Sequence, residues 1–107
     1  MELVFKHNIK GAFEEVYVEE RVHYVSEEAV AKGLRELRKD KYSALWLENI
    51  ACTSDTNTVS ALGIYWETCN DYENKIATVK YIYGTGYSQS SEEMTWEKAK
   101  RIFRQYA

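Results

Sequence analysis

The chain has 107 residues and a formal net charge of −3, with 45% hydrophobic residues, 14% aromatic residues and no proline. A chain this short holds one hydrophobic core, so residues 1–107 are predicted to form a single globular domain. The acidic balance argues against a nucleic-acid partner, which requires a basic footprint, and no apolar stretch approaches the ~20 residues that span a bilayer. The N-terminus shows no basic run followed by a long apolar run, so we expect a cytoplasmic protein with no membrane partner.

Two β-strands are predicted at the start of the chain, over 2–8 and 13–19. Both segments are rich in the β-branched and aromatic residues typical of strands. Gly11 lies between them and favours a turn. The pattern predicts a hairpin, followed by a connection that includes part of 21–25.

A helix is predicted over 27–39. Ser26 is a favourable N-cap, since its side-chain oxygen can accept a hydrogen bond from an early helical amide. From Val30 onward, leucines recur four and seven residues later and form an apolar stripe. Gly33 inside the helix costs about 1 kcal/mol relative to alanine. We therefore expect that glycine to permit a close approach to a sheet.

Three further strands are predicted over 43–49, 59–67 and 75–83. The first is apolar on both faces, as is typical of a central strand. The composition of 51–58 indicates a loop. The second and third strands are joined by the polar segment TCNDYEN and are expected to pair antiparallel.

The segment GTGYSQSSEE, residues 84–93, is predicted to be a flexible loop. It matches neither common phosphate-binding glycine pattern, so Gly84 and Gly86 are expected to supply positive φ angles at the end of a strand. Thr95 then caps a final helix of about 96–106, which carries an apolar stripe.

The predicted order is ββ-α-βββ-α. This order defines an α+β domain in which a mainly antiparallel sheet of about five strands carries two helices. The histidines and cysteines have no metal-binding spacing, and the serines have no nucleophile motif, so the sequence predicts no enzyme, metal or cofactor. It leaves open whether Cys52 and Cys69 form a disulfide.

The nine tyrosines and the acidic central segment are the unusual features of the sequence. Nine tyrosines exceed what a small core can hide with every hydroxyl satisfied, so several are expected at the surface. Aromatic residues beside acids are typical of an interface that attracts a basic protein. The alternative is that Trp66 and one tyrosine face belong to the core. The candidate partner-binding residues, in the turn 65–73 and in 81–87, are Trp66, Glu67, Asp71, Tyr72, Glu73, Tyr81, Tyr83 and Tyr87.

A resemblance rests on three stretches: VSEEAVAKGLRELRKDKYSALWLEN, ALGIYWETCNDYENKIATVKY and MTWEKAKRIFRQYA. Their order is a capped helix with a strand, an antiparallel pair and a final helix. In this order the chain resembles the small α+β immunity proteins encoded beside polymorphic bacterial toxins, including contact-dependent growth-inhibition toxins. The resemblance implies a non-enzymatic protein that binds and blocks a cognate toxin domain, often a basic nuclease.

Three alternatives stay open from the sequence. Small phage-encoded inhibitors of host defence proteins share the short, acidic, proline-poor and tyrosine-rich profile. A small-ligand binding module would use the tyrosine-rich sheet face to line an apolar cavity above roughly 300 Å³. A homo-oligomeric structural protein would use an exposed edge strand or aromatic face.

Overall fold

The computed structural model describes residues 1–10, 15–37 and 43–107, with the side chains of all of these except 8–10 and 15–16. Within these ranges the elements follow the order ββ-α-ββ-α-ββ-α. The strands are β1 (Glu2–Lys10), β2 (Glu15–Val22), β3 (Ser43–Glu48), β4 (Val59–Tyr65), β5 (Ile76–Tyr83) and β6 (Ser88–Thr95). The helices are α1 (Glu27–Glu36), α2 (Cys69–Glu73) and α3 (Trp96–Tyr106).

The strands form one sheet in the order β2-β1-β3-β4-β5-β6. Every neighbouring pair is antiparallel. Strand β1 pairs with both β2 and β3, so α1 carries the chain from the edge strand back across β1. The remaining strands form a meander. The predicted α+β class and antiparallel sheet are confirmed, whereas the described residues form six strands and three helices in place of the expected five and two.

One face of the sheet is the core. Leu3, Leu47 and Leu62 form a buried row across three neighbouring strands. Helices α1 and α3 close the core from this side, because their apolar stripes belong to the same buried cluster. The helical residues buried there include Val30, Leu34, Ala99 and Phe103.

The expected close approach at Gly33 is confirmed. A Cβ atom at this position would lie 2.7 Å from Leu45 Cδ1, so α1 packs on β3 at a distance that a larger residue would increase. Ser26 caps the helix as predicted, with its Oγ accepting from the amide of Ala29 at 3.1 Å. The helix ends at Glu36, earlier than predicted, because the backbone of Leu37 is extended. Residues 38 and 39 of the predicted helix lie outside the described residues.

The prediction of a flexible loop over 84–93 is wrong, since most of this segment belongs to β6. Strand β6 pairs with β5 at eight successive positions, from Ile76 with Thr95 to Tyr83 with Ser88. Its sequence, SQSSEEMT, gives no alternating apolar signal because this edge strand buries only Met94. The positive φ angles expected of Gly84 and Gly86 are confirmed at 54° and 102°.

Left-handed backbone conformations set two strand boundaries that the sequence misplaced. Asn49 has a φ of 56°, and β3 ends at the preceding residue. Lys75 has a φ of 59°, and β5 begins at the following residue. Non-glycine residues rarely hold such angles inside a strand. The predicted strands 43–49 and 75–83 are therefore each one residue too long.

The segment between β4 and β5 contains a short helix that the sequence prediction lacked. Strand β4 ends at Tyr65, two residues before the predicted end, and Thr68 then caps α2. The Oγ1 atom of Thr68 accepts from the amide of Asp71 at 3.0 Å. Five residues are too few for an apolar periodicity, so only the cap could have indicated this helix.

The other predicted boundaries agree more closely with the structure. Strands β1 and β2 extend past the predicted 2–8 and 13–19, although residues 13 and 14 lie outside the described residues. Helix α3 has the predicted bounds, with Thr95 Oγ1 accepting from the amide of Lys98 at 3.3 Å. No helix in the described part of the chain is long and apolar enough to cross a membrane.

Replacing Phe103 with alanine tests the placement of the core. The ring is 0% exposed, so Phe103→Ala is expected to lower the free energy of unfolding by about 3–5 kcal/mol. Tyr87→Ala removes an aromatic ring that is 97% exposed and should change this free energy by no more than about 0.5 kcal/mol. Urea unfolding followed by circular dichroism measures both. Equal small effects would contradict the assigned core.

Candidate functional site

The structure places the predicted contact residues in two groups rather than in one patch. The first group lies around α2, before β5 begins, and the second group lies along and beyond β5. A strand of eight residues at ~3.3 Å per residue separates α2 from the far end of β5 by roughly 25 Å. The first group is Trp66, Glu67, Asp71, Tyr72 and Glu73, and the second is Tyr81, Tyr83 and Tyr87.

Trp66 is a core residue, as the alternative interpretation of the sequence allowed. Its side chain is 2% exposed. Its ring lies 4.6 Å from that of Trp96 and meets Tyr72 edge-on at 5.1 Å, measured between centroids. Trp66 therefore joins α2 and the start of α3 to the sheet. It offers a partner almost no surface of its own and would act by positioning Tyr72.

The tyrosines of the second group differ in exposure. Tyr81 and Tyr83 lie on the same side of β5, with stacked rings 6.3 Å apart, and the Tyr83 hydroxyl is 3.1 Å from Ser90 Oγ. Burial, followed by the nearby Glu92 carboxylate, raises the pKa of Tyr81. Tyr87 is 97% exposed in the turn between β5 and β6. Of this group, Tyr87 offers the most surface to a partner.

Three acids on the sheet face opposite the helices are neutralised within the protein. Lys6 Nζ lies 2.7 Å from Glu48 Oε1, and Arg21 Nη1 lies 2.9 Å from Glu48 Oε2. Arg21 also pairs with Glu2 and Glu19, and Lys6 lies 4.0 Å from Glu19. These contacts join β1, β2 and β3. We call Glu2, Glu19, Glu48, Lys6 and Arg21 the ion-pair network.

The pKa values in the ion-pair network reflect its hydrogen bonds. The hydrogen bond from Arg21 lowers the pKa of Glu2. Burial alone would raise the pKa of Glu48, but hydrogen bonds from Lys6 and Arg21 lower it below its usual value. These carboxylates are therefore charged at neutral pH and already engaged. They contribute little free negative charge to a partner.

A second set of acids lies near α2 and on β6 without such neutralisation. Glu67, Glu73, Glu92 and Glu93 are exposed, and Asp71 is half-buried. None of the five forms an ion pair with another residue in the part of the chain that the structure describes. We call this set the unpaired acids. The sequence analysis missed Glu92 and Glu93 because their strand was predicted to be a loop.

Trp46 occupies the centre of the sheet face opposite the helices. Its ring covers Gly63 on the neighbouring strand, where a Cβ atom would lie 2.6 Å from Trp46 Cε2. Lys6 Nζ lies 5.4 Å from the ring centroid. Beside this ring an open groove of about 510 Å³ extends to the turn between β5 and β6. Another groove, of about 270 Å³, lies between α1 and α3 on the side of Trp66 and Trp96.

Neither groove is lined by Tyr81, Tyr83 or Tyr87. The tyrosine-rich face therefore does not form either of these cavities. Cys52 and Cys69 are both exposed and are not joined by a disulfide. Within the described ranges, no three histidine, cysteine, aspartate or glutamate side chains are grouped so that they could hold a metal ion.

Comparison with known proteins adds no relative from which a function could be transferred. No family model, no curated protein and no solved structure matches this chain. The functional argument therefore depends on the charges and surfaces of the molecule itself.

A double-mutant cycle tests the packing of Trp46 on Gly63. Gly63→Ala is expected to lower the free energy of unfolding by about 1–2 kcal/mol, because the indole ring must move away from the new methyl group. In a Trp46→Ala background the same change should be neutral or stabilising, since alanine suits a strand better than glycine by about 0.5–1 kcal/mol. Urea unfolding of the four proteins measures the coupling. Equal effects in both backgrounds would contradict this packing.

The ion-pair network predicts a pH dependence of stability. Because the folded-state pKa of Glu48 is below 4.5, its ion pairs stabilise the fold above that pH, and this contribution is lost as the pH falls further. Glu48→Gln should lower the free energy of unfolding by about 1 kcal/mol at pH 7 and lose less stability below pH 4.5. Urea unfolding from pH 7 to pH 3 measures this difference, with Glu20→Gln as an exposed control. An unchanged acid-side slope in Glu48→Gln would contradict the assignment.

Proposed function

We propose that this protein is a non-enzymatic inhibitory binding protein, most simply a cytoplasmic immunity protein that binds and blocks a cognate toxin. The observation that supports this proposal is the contrast between the two sets of acids. The ion-pair network is satisfied internally, whereas the unpaired acids near α2 and on β6 carry charge that no described residue neutralises. A basic protein is the partner that fits such a surface.

A basic nuclease domain is the toxin class that suits these charges best. Such a domain binds nucleic-acid phosphates through lysine and arginine side chains. Carboxylates held on a folded surface can occupy the same positions and exclude the nucleic acid. A small phage-type inhibitor of a host defence protein would use the same surface in the same way. Both versions of the proposal require binding and no catalysis.

The contact has to extend beyond α2. A stable complex buries about 800 Å² on each partner, roughly an eighth of the 6626 Å² surface of this chain. Strand β6 is the adjacent surface that can supply this area. It is an edge strand that pairs regularly with β5, contains neither proline nor lysine, and carries only acidic charges, Glu92 and Glu93. A basic strand of the partner can therefore add to it.

Co-expression with the product of the adjacent open reading frame tests the proposal. We expect a complex of defined stoichiometry in size-exclusion chromatography with light scattering. We also expect cells that produce the neighbouring protein to grow only when this chain is present. A monomer that binds no neighbouring product and protects no cells would overturn the proposal.

Neutralising the acids around α2 tests which surface makes the contact. The variant Glu67→Gln, Asp71→Asn, Glu73→Gln is expected to associate with the partner about tenfold more slowly at low ionic strength, because electrostatic attraction speeds the encounter. Its association rate should also depend less on salt. Stopped-flow or surface plasmon resonance measurements across a salt series give both quantities.

The matched control removes the same number of acids elsewhere on the chain, all of them exposed. The variant Glu20→Gln, Glu28→Gln, Glu36→Gln should retain most of the wild-type association rate and salt dependence. If both triple variants lose the same amount, net charge rather than the surface around α2 governs association. That result would exclude this surface as the contact.

A further inference from the structure

The groove between α1 and α3 concentrates positive charge on a protein whose net charge is −3. Its walls are formed by leucines and aromatic rings, among them Leu34, Leu37 and Trp96. The charged residues that line it are Arg35, Lys75, Lys100 and Arg104. Among the described residues, none that lines this groove is acidic. We call these four residues the groove cations.

The groove cations are poorly neutralised by their surroundings. Lys100 Nζ lies 3.0 Å from Glu97 Oε1, but the Glu97 side chain is 75% exposed, so solvent screens this pair strongly. The other three form no ion pair with a residue in the described ranges. The groove on the opposite sheet face differs, because Lys6 there pairs with Glu48, which lines the same groove. Among the described residues, Glu48 therefore supplies an anion to that groove, whereas no acid lines the groove between the helices.

Aromatic rings hold two of the groove cations near the groove walls. Lys75 Nζ lies 4.4 Å from the centroid of the Tyr72 ring, and Lys100 Nζ lies 5.6 Å from that of Trp96. These cation–π contacts leave the ammonium donors free to bind an anion, since a ring accepts no conventional hydrogen bond. Positive groups that line one groove repel one another, and a ligand with several negative charges relieves that repulsion.

We propose that this groove binds a small phosphorylated compound with two or more negative charges. Lysine and arginine side chains are the usual ligands of phosphate groups, and the apolar walls can accept the organic part of the compound. A volume of about 270 Å³ suits a small molecule and is just below the usual range of ligand-pocket sizes. A nucleic-acid strand is disfavoured because it would extend past the groove toward the acids of α2. This site adjoins the proposed acidic contact surface, since Tyr72 of α2 also lines the groove.

The three tryptophans make the proposal testable by NMR. Trp66 and Trp96 line the groove, whereas Trp46 lies on the opposite face of the sheet. In a ¹⁵N-labelled sample, adding inorganic pyrophosphate or ADP should shift the indole signals of Trp66 and Trp96, saturate below about 1 mM, and leave that of Trp46 unchanged. Adenosine, which carries no phosphate, should produce no such shifts. Absent, unsaturable or equally distributed shifts with both phosphate probes would overturn the proposal.

Two charge variants of α3 complete the test. Lys100→Gln with Arg104→Gln removes two groove cations and should weaken pyrophosphate binding at least tenfold. Lys98→Gln with Arg101→Gln removes the same charge from residues of the same helix that do not line the groove, and should weaken it less than threefold. The amide spectra show whether each variant is folded. Equal weakening by the two variants would show non-specific attraction and overturn the proposed site.

Discussion

The burial of one sheet face under two helices is the constraint on which the rest of this structure depends. Helices α1 and α3, with 10 and 11 residues, cover the row of leucines that crosses the middle strands. Among the described residues no helix covers the opposite face, so that face is stabilised differently. Ion pairs join β1, β2 and β3 there, and Trp46 packs flat on Gly63. The acids of that region form ion pairs within the protein, whereas those near α2 and on β6 are available to solvent or to a partner.

The small net charge of the chain conceals a strong local separation of charge. Five acids without an ion pair to a described residue lie near α2 and on β6, and four cations line a groove between α1 and α3 that no described acid lines. Unneutralised like charges destabilise a folded protein by mutual repulsion, and a partner of opposite charge relieves that repulsion. The acidic set is proposed to bind a basic toxin, and the basic set is proposed to bind a small phosphorylated compound. The acidic surface and the basic groove lie next to each other, because Tyr72 of α2 and Lys75 both line the groove.

The amino-acid sequence predicted the local features of this fold better than its long-range ones. Ser26 and Thr95 marked the helix starts, and Gly33 indicated the close approach of α1 to the sheet, because caps and steric contacts act over short distances. Strand β6 was missed because an edge strand that buries only Met94 has no apolar alternation. Which acids form ion pairs within the protein was also not predictable, since Lys6 and Glu48 are 42 residues apart and meet only through the register of β1 with β3. The burial of Trp66 likewise depends on where α3 packs.

The measurement that tests the charge separation most directly is the near-surface electrostatic potential of the free protein. Amide relaxation is compared in the presence of a positively charged and a negatively charged paramagnetic cosolute of the same shape. The account predicts that the cationic cosolute is enriched around residues 67–73 and 92–93. The anionic cosolute should be enriched around residues 35, 100 and 104, and neither should be enriched at the ion-pair network. Equal enrichment of the cationic cosolute around Glu2, Glu19 and Glu48 would contradict the account, because those acids would then be as free as the others.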